Sequence, residues 1–238
     1  MSGSPALWSY LAAAPLTWLT VTLLAFLGAS ILSRALRHSP LANPVLVSVC
    51  IIATVLWLGG TDYDSYFEGA QFIHFLLGPA TVALAAPLFD NRGTIRRLAA
   101  PILLALIVGS SVAVLSAVAL AQAFGLPEPV ILSLSPKSTT APVAIGISEA
   151  VGGIPGLTAV LVILTGVIGA VIVTPLMNLL RIRDWRARGF AVGVAAHGIG
   201  TARAFQVNET AGAYAGVGMA LNALLTSLLV PLFVSWLI

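Results

Sequence analysis

The stretch LAAPILLALIVGSSVAVLSAVALAQAF, residues 98–124, holds no Asp, Glu, Lys or Arg. A helix needs about 20 consecutive apolar residues to cross the hydrocarbon core of a bilayer. The stretch exceeds that length and therefore predicts a membrane-spanning helix. Four further uninterrupted apolar runs predict the same kind of element, at residues 16–36, 44–58, 156–180 and 212–238.

The composition of the whole chain agrees with this interpretation. Of the 238 residues, 59% are hydrophobic and 8% are charged, and the mean hydropathy is +1.04. Roughly a quarter of the residues of a soluble domain are charged, so a water-soluble globule is excluded. We predict an all-α polytopic membrane protein with a single integral membrane domain over residues 1–238.

Three further apolar segments are interrupted by Gly or Pro, with polar residues beside the break. They lie at residues 71–89, 130–150 and 190–206. A broken segment followed by an intact helix thus recurs three times, although the sequence similarity between these units is weak. Such recurrence is typical of the inverted repeats of secondary transporters, which bind their substrates near the midplane of the membrane.

The basic residues predict the orientation of the chain. Nine of the eleven fall in three connections, namely Arg34 and Arg37, then Arg92, Arg96 and Arg97, then Arg181, Arg183, Arg186 and Arg188. Lys and Arg collect in cytoplasmic connections, so we place these three in the cytoplasm and the N-terminus outside the inner (cytoplasmic) membrane of the cell. The connections with acidic residues, at 62–68 and at Glu128, are then outside. The first apolar run has no basic residue before Arg34 and is predicted to be a retained helix rather than a signal peptide.

This orientation fixes the number of crossings. The helix at 98–124 ends outside and the helix at 156–180 starts outside, so segment 130–150 must enter and leave on one side. Segment 190–206 starts on the cytoplasmic side, and the last helix after it is predicted to end outside. By the same argument, segment 190–206 is a second re-entrant element. We predict six crossings and two re-entrant segments, with eight full spans as the alternative.

Several functional classes are excluded by the residues that the chain lacks. Its net charge of +3 is scattered among apolar runs and makes no continuous basic face for nucleic acid. The single cysteine, Cys50, cannot form a disulfide within the chain. No Gly-x-Ser-x-Gly, His-Glu-x-x-His or paired intramembrane aspartates occur, so we expect neither an enzyme nor a bound metal or cofactor.

The stretch SLSPKSTTAP, residues 133–142, obeys the rules for a helix start inside an apolar segment. Ser135 is predicted as the N-cap, with Pro136 at the first helical position. A helix N-terminus binds anions, and Lys137, Ser138, Thr139 and Thr140 add an ammonium group and three hydroxyls. The cluster predicts a site for a small carboxylate with a neighbouring hydroxyl or carbonyl. The alternative is that Lys137 extends to the membrane interface and the hydroxyls bond back to the helix.

The helix after this break is predicted to end near Glu149, ahead of Gly152 and Gly153. Its carboxylate would face the negative end of the helix dipole, which favours a protonated or paired state. Glu149 is therefore a candidate for proton coupling. The alternative is an exposed acid at the outer edge of the membrane.

The second break is HGIGTARA, residues 197–204, in which Gly198 and Gly200 interrupt the apolar run. Arg203 offers two-pronged recognition of a carboxylate, and Thr201 is expected to cap the helix that follows. His197 changes charge near neutral pH and is a candidate proton carrier. A satisfied structural histidine is the alternative for His197.

A third break, with Gly78 and Pro79, puts Thr81 in the first turn of a new helix, where its hydroxyl is expected to line the cavity. His74 is interpreted as an interfacial side chain. Asn222 lies midway in the last apolar run, where an amide needs partners and often links helices.

Four motifs in order, LLGPATVALA at 76–85, SPKSTT at 135–140, SEAVGG at 148–153 and HGIGTARA at 197–204, resemble the LrgB/CidB family. That family was described as holin/antiholin-like, affects murein hydrolase activity and autolysis, and usually occurs beside a small LrgA/CidA membrane protein. Its plant relatives resemble plastid glycolate/glycerate translocators, and bacterial relatives are linked to the transport of pyruvate and other small monocarboxylates.

The resemblance implies functional roles for the residues that match the family motifs. They are Lys137, Ser138, Thr140, Glu149, His197, Thr201 and Arg203. One departure is Ala141, where the family pattern has a threonine before the proline, so the resemblance does not carry over that one hydroxyl contact to substrate.

The residues and the resemblance together predict a secondary transporter of small monocarboxylates such as glycolate, glycerate, pyruvate or lactate. We expect Lys137 and Arg203 to neutralise the carboxylate, and Glu149 or His197 to carry a coupled proton. One alternative is a holin/antiholin-like regulator of murein hydrolases, and another is a structural subunit of a complex with an LrgA-type protein. Symmetric homo-oligomers are common among such proteins, so we expect self-association in the membrane.

Overall fold

The computed structural model describes residues 14–36, 39, 42–76, 79, 89 and 92–237. These residues form ten helices and no strand. The chain divides into two compact units, Met1–Ala80 and Thr81–Ile238.

The first unit contains three described helices, α1 (Pro15–Ala35), α2 (Pro44–Gly59) and α3 (Tyr63–Phe75), and α1 packs against both of the others. Asn43 starts α2, because its side-chain oxygen accepts hydrogen bonds from the N–H groups of Val45 and Leu46, at 2.9 and 3.3 Å. Gly60 ends α2 in the left-handed conformation, with φ of +61°.

Helix α3 occupies residues that the charge pattern placed in an external connection. Its stability comes from packing: Trp18 of α1 is fully buried and meets Tyr66 edge to face, with ring centroids 5.9 Å apart. Gly69 lets α3 approach the backbone of α1, since a Cβ there would lie 3.0 Å from the nitrogen of Leu19. The sequence pattern did not predict this amphipathic helix, because its acidic residues interrupt any run of apolar residues. Most of the predicted break at 71–89, including Gly78 and Thr81, lies outside the described residues.

The second unit contains seven described helices. They are α4 (Arg92–Arg97), α5 (Ala99–Ala123), α6 (Glu128–Leu134), α7 (Ala141–Val151), α8 (Pro155–Leu179), α9 (Trp185–Val207) and α10 (Glu209–Leu237).

Four of the described helices, α1, α5, α8 and α10, are long and apolar enough to cross a bilayer, and α2 and α7 are shorter apolar helices. The five predicted spanning runs correspond to α1, α2, α5, α8 and α10, with ends that agree within a few residues. The prediction of an all-α polytopic membrane protein is therefore confirmed.

The segment that contains α6 and α7 enters and returns at the same end of α5. Ile131 of α6 and Ile147 of α7 share one buried cluster with residues from the C-terminal half of α5, which are Val114, Val118 and Ala121. Just beyond α7, the N–H of Ile154 donates to the hydroxyl of Ser133 in α6, at 2.7 Å. Helix α6, residues 135–140 and helix α7 together form what we call the first re-entrant hairpin.

Helix α9 also reverses direction. Its ladder breaks at Ala196 (φ −131°, ψ 18°) and His197 (φ 41°, ψ −138°), and a Cβ on Gly200 would lie only 2.9 Å from the Val192 side chain. Residues eight apart in an unbroken helix are about 12 Å apart along its axis, so the two halves of α9, residues 185–195 and 198–207, fold back on each other. They form the second re-entrant hairpin.

The start of α10 runs parallel to the first half of α9. Gly189 contacts Ala211 and Gly193 contacts Ala215, so both chains advance in the same direction along this contact. Because the second half of α9 connects them, it must run in the opposite direction. Eight full spans would require both broken segments to continue to the far end of the bundle, and neither does.

The second break lies at Ala196 and His197, directly before the two glycines that were expected to make it. Gly198 and Gly200 are themselves within the helix that follows. Gly200 is small because it packs against Ala196 and Val192, so its role is a close approach of the two halves rather than the turn itself.

Candidate functional site

Residues 135–140 of the first hairpin are the non-helical break between α6 and α7. Ser135 was predicted to start the second helix, but it continues α6: its N–H donates to Ile131 O at 3.1 Å and its hydroxyl to Leu132 O at 2.7 Å. Helix α7 begins later, at Ala141, with Pro142 in its first turn and Thr140 at the N-cap position. Pro136 therefore lies in the break and not in a helix.

The N-terminus of α7 has no side-chain cap. Thr140 has extended backbone angles (φ −64°, ψ 145°), yet its hydroxyl makes no capping hydrogen bond. The first N–H groups of a helix have no partner within the helix, and they carry the positive end of its dipole. The start of α7 can thus interact with a negatively charged group.

Lys137 precedes this helix start by four residues and is half-buried. Its Nζ is 3.3 Å from the hydroxyl of Ser138, and within the described residues the only ion pair joins Arg186 to Asp184. Lys137 and Ser138 line a cavity of about 380 Å³ between α5 and the first half of α9. This volume falls within the range of small-molecule sites, roughly 300–1,000 Å³.

Two hydroxyls of the break are buried without a partner. The Oγ1 atoms of Thr139 and Thr140 make no hydrogen bond to any described residue, and Thr139 is fully buried. A buried polar group without a partner costs about 1–3 kcal/mol. Residues 137–141, which comprise Lys137, Ser138, these two threonines and the start of α7, are what we call the Lys137 site.

Asn222 of α10 connects the two hairpins. Its Nδ2 donates to the carbonyl oxygens of Ser138 and Val194, each at 3.1 Å, while its Oδ1 accepts from Ser110 at 2.6 Å and from Thr226 at 3.1 Å. All four hydrogen-bonding positions of the amide are therefore occupied.

Val194 takes part in this network because of the break that follows it. In a continuous helix its carbonyl would accept from the N–H four residues on, but the ladder is interrupted at 196–197. The sequence indicated that Asn222 links helices, and it gave no sign that Ser110, Val194 and Ser138 are the partners. Polar residues midway along α5 and α10 were the available signal.

His197 occupies a tight position against α8. Its Nε2–H donates to the carbonyl of Val162 at 2.8 Å, and a Cβ on Gly166 would lie 2.6 Å from its ring. Thr201 does not cap a helix, since its hydroxyl donates to His197 O at 2.8 Å. The described contacts of His197 are those of a positioned, buried side chain.

Arg203 does not share the cavity of Lys137. It lies in the second half of α9, with its Nη1 3.4 Å from the Gln206 side chain, and it lines a small cavity with Arg188 and Val192. Residues 188 and 192 are on a different face of α9 from those that line the Lys137 cavity. The structure thus does not bring the two basic residues together.

Glu149 is also distant from the Lys137 site. It is exposed near the C-terminal end of α7, eight residues after the start of that helix, which corresponds to roughly 12 Å. Pro79 is described only as a single helical residue, and the side chain of His74 lies outside the description. Among the described residues, no three His, Cys, Asp or Glu side chains come together as a metal site.

The long apolar helices, together with two re-entrant hairpins that meet at a buried amide, define a polytopic membrane protein with irregular backbone inside its helical bundle. Such backbone is tolerated at membrane depth only where protein or a water-filled cavity satisfies its polar groups. The chain belongs to the LrgB-like family, whose family profile matches residues 22–236.

Similar proteins cover nearly the same length. The uncharacterized protein YwbG of Bacillus subtilis is 36% identical over 220 residues, which are 92% of this chain and 96% of that protein. YxaC of the same organism is 38% identical over 198 residues, which are 83% and 86% of the two chains. The holin-like protein CidB of Staphylococcus aureus is 33% identical over 196 residues, or 82% and 86%. No solved structure matches the chain significantly.

Proposed function

We propose that the protein transports small monocarboxylates across the membrane and binds them at the Lys137 site. The observation that carries this proposal is that a half-buried ammonium group, two buried hydroxyls without partners and an uncapped helix start follow one another within residues 137–141. A carboxylate satisfies all three features, since it accepts hydrogen bonds and carries one negative charge. A neighbouring hydroxyl or keto group on the acid would form a hydrogen bond with the hydroxyl of Thr139 or Thr140 that the carboxylate does not use.

The location of the site also supports transport. The Lys137 site lies at the tip of one re-entrant hairpin, and Asn222 ties that tip to the second hairpin. Secondary transporters place their substrate sites at interrupted helices near the midplane, where helix ends interact with the charged groups of the substrate. In this proposal Lys137 neutralises the carboxylate, and Arg203 acts at a separate position on the second hairpin.

We propose that transport is coupled to protons through His197 or Glu149. His197 lies at the second break, buried against α8, and Glu149 is exposed at the end of α7. The two candidates are separated by measuring proton-driven uptake in His197→Gln and Glu149→Gln. The variant that retains exchange of acid for acid but loses stimulation by a proton gradient identifies the coupling group.

A second candidate function is a holin-like role in the control of autolysis. The name of the staphylococcal relative favours it, since that protein is called holin-like, and the names of these three relatives mention no carboxylate. In this alternative the protein permeabilises the membrane or regulates murein hydrolases, and we expect it to act with a small LrgA/CidA-type protein. A lesion-forming protein needs no saturable substrate, whereas a transporter does.

The test is uptake of labelled glycolate and pyruvate into proteoliposomes, with and without an inward proton gradient. Saturable uptake that is stimulated by the gradient and lost in Lys137→Ala supports the transport proposal. Arg34→Ala is the matched control, because it removes an exposed basic residue at the end of α1 and leaves the Lys137 site and connection 181–188 intact. We expect uptake by this control to equal that of the unmodified protein.

Leakage of an uncharged dye without saturable uptake would favour the holin-like role instead. If both are absent, the measurement is repeated after co-reconstitution with an LrgA-type protein. Activity that appears only then, and that survives Lys137→Ala, would overturn the proposed role of the Lys137 site.

A further inference from the structure

Two adjoining cavities lead from one end of the second unit to Lys137. The inner cavity, of about 380 Å³, includes Lys137 and Ser138 in its wall. The outer cavity, of about 330 Å³, includes Asp184, Arg186 and Tyr214. Three residues line both cavities, and they are Ala105, Ala187 and Phe190. The two spaces therefore adjoin, with Phe190 as the bulkiest side chain between them.

The charges along these cavities are unevenly distributed. Among the described residues that line the inner cavity, Lys137 is the only charged one, and the others besides Ser138 are apolar. The charged residues that line the outer cavity are Asp184 and Arg186, which form an ion pair, and connection 181–188 as a whole carries four Arg and one Asp, a net charge of +3. An entering solute thus passes a connection of net positive charge, then an apolar section, then a single ammonium group.

We propose that the two cavities form one access passage between α5 and the first half of α9, which opens on the side of connection 181–188 and admits organic anions of a single charge. The identity of the anion rests on the proposed function, whereas the passage and its charge preference do not. Phe190 separates the outer part of the passage from the inner part.

The charge preference follows from electrostatics in a poorly solvated space. A monoanion that reaches Lys137 leaves no net charge uncompensated, whereas a dianion leaves one, and burying an unpaired charge is costly. A cation is repelled by Lys137 and by the net positive charge of connection 181–188. Surface potentials of one sign at a cleft also concentrate ions of the opposite sign and accelerate their entry.

The test is the accessibility of single cysteines to water-soluble thiol reagents. Cys50 is the only native cysteine and is exposed, so Cys50→Ser provides the background. Ala113→Cys places a thiol in the wall of the inner cavity, and Ala105→Cys places one where both cavities meet. Ile107→Cys is the matched control, because Ile107 is 51% exposed on α5 and lines neither cavity.

The probes are two methanethiosulfonate reagents of similar size, one with a sulfonate group and one with a trimethylammonium group. Membrane vesicles of both orientations are labelled, and Arg183→Cys reports which face of the vesicle carries connection 181–188. Each rate is divided by the rate of the same reagent with a free thiol in solution, which removes intrinsic differences in reactivity.

We expect Ala113→Cys to react from the Arg183 side only. Its rate should exceed that of Ile107→Cys by about tenfold or more, because the thiol at position 107 lies outside both cavities in an apolar environment, where a thiol rarely ionises. The normalised rate of the anionic reagent should exceed that of the cationic reagent by about tenfold. Adding Lys137→Gln to Ala113→Cys should reduce this preference strongly. Ala105→Cys should react from the same side in both backgrounds.

Equal rates at Ala113→Cys and Ile107→Cys, reaction from the opposite side, or a faster cationic reagent would each overturn the passage. Protection of Ala113→Cys by pyruvate but not by succinate would support the preference for a single charge. If the cysteines are labelled as expected but proteoliposomes show no transport, the passage is supported and the proposed transport function is contradicted. If the protein transports but neither Ala113→Cys nor Ala105→Cys is labelled, the transport function is supported and the passage is contradicted.

Discussion

The amide of Asn222 donates a hydrogen bond of 3.1 Å to the backbone carbonyl of Ser138, in the break of the first re-entrant hairpin. Its other N–H donates to Val194, beside the break of the second hairpin. Both carbonyls are released from helical hydrogen bonding by the breaks, and one buried side chain satisfies both. The breaks and the asparagine are thus parts of one arrangement.

Asn222→Leu should destabilise the protein. The variant has a similar volume but leaves two buried carbonyls without donors, and each such group costs about 1–3 kcal/mol. The measurement is thermal unfolding of the purified protein in detergent. Ser227→Ala is the control, because Ser227 is exposed in the same helix and its hydroxyl bonds back to Leu224. Equal melting temperatures of Asn222→Leu and the control would contradict the structural role of the amide.

Gly166→Ala should disturb the second hairpin. The added Cβ would lie 2.6 and 2.8 Å from two atoms of the His197 ring, so the ring must move, and overpacking of this kind costs about 1–3 kcal/mol. Gly156→Ala in the same helix has no atom within 4 Å of the new carbon and should raise stability by up to about 1 kcal/mol. Unfolding in detergent compares the two, and the prediction fails if Gly166→Ala is the more stable variant.

Thr139→Val should leave folding intact and weaken substrate binding. Valine keeps the shape of threonine and removes a buried hydroxyl that has no partner among the described residues, so stability should be unchanged or slightly higher. If the hydroxyl contacts the carboxylate, its loss should raise the KM for uptake about fivefold, equivalent to about 1 kcal/mol. The control is Thr165→Val, whose hydroxyl bonds back to Leu161 within α8. An unchanged KM in Thr139→Val would remove Thr139 from the site.

The first turn of α9 should respond to strongly acidic pH. Hydrogen bonds from the Arg186 side chain and from its backbone N–H lower the pKa of Asp184 from 3.8 to about 2. Because the folded pKa is depressed, the contribution of this cap is complete above pH 3.8 and is lost as the pH falls through about 2.

The carboxyl carbon of Asp184, followed by NMR in detergent, should titrate near pH 2. In Arg186→Gln the midpoint should rise toward 3.8, since the guanidinium no longer donates to the carboxylate. The exposed Asp64, which has no part in this cap, serves as an internal reference in both proteins. A midpoint for Asp184 that is unaffected by Arg186→Gln would refute the contribution of this ion pair.

Much of the fold follows from local properties of the sequence. Long apolar runs with at most one charged residue predicted α1, α5, α8 and α10, and the placement of arginines predicted both re-entrant segments. Helix α3 was missed because its stability depends on Trp18 and Tyr66, which lie far apart in the sequence. Packing between distant residues leaves no signal in a hydropathy window.

The candidate site was predictable only in part. The residues 135–140 were singled out correctly as an interruption, but the helix start was placed too early, since serine before proline is also compatible with the end of α6. The second turn was assigned to glycines, whereas His197 adopts the positive φ. Lys137 and Arg203 are separated because their cavities lie against different faces of α9. No short pattern in a single sequence shows which face of a helix a distant segment contacts.

The full occupancy of Asn222 has a mechanical consequence. An amide with two donors and two acceptors already engaged has nothing left to offer a passing solute. Its hydrogen bonds hold the tips of the two hairpins against α5 and α10 at one point. If either tip moved alone, a backbone carbonyl would lose its hydrogen bond in a medium where no water can replace it. We expect any rearrangement that carries a solute past Lys137 to move both tips together as one block, with the flexing confined to the outer ends of the hairpins.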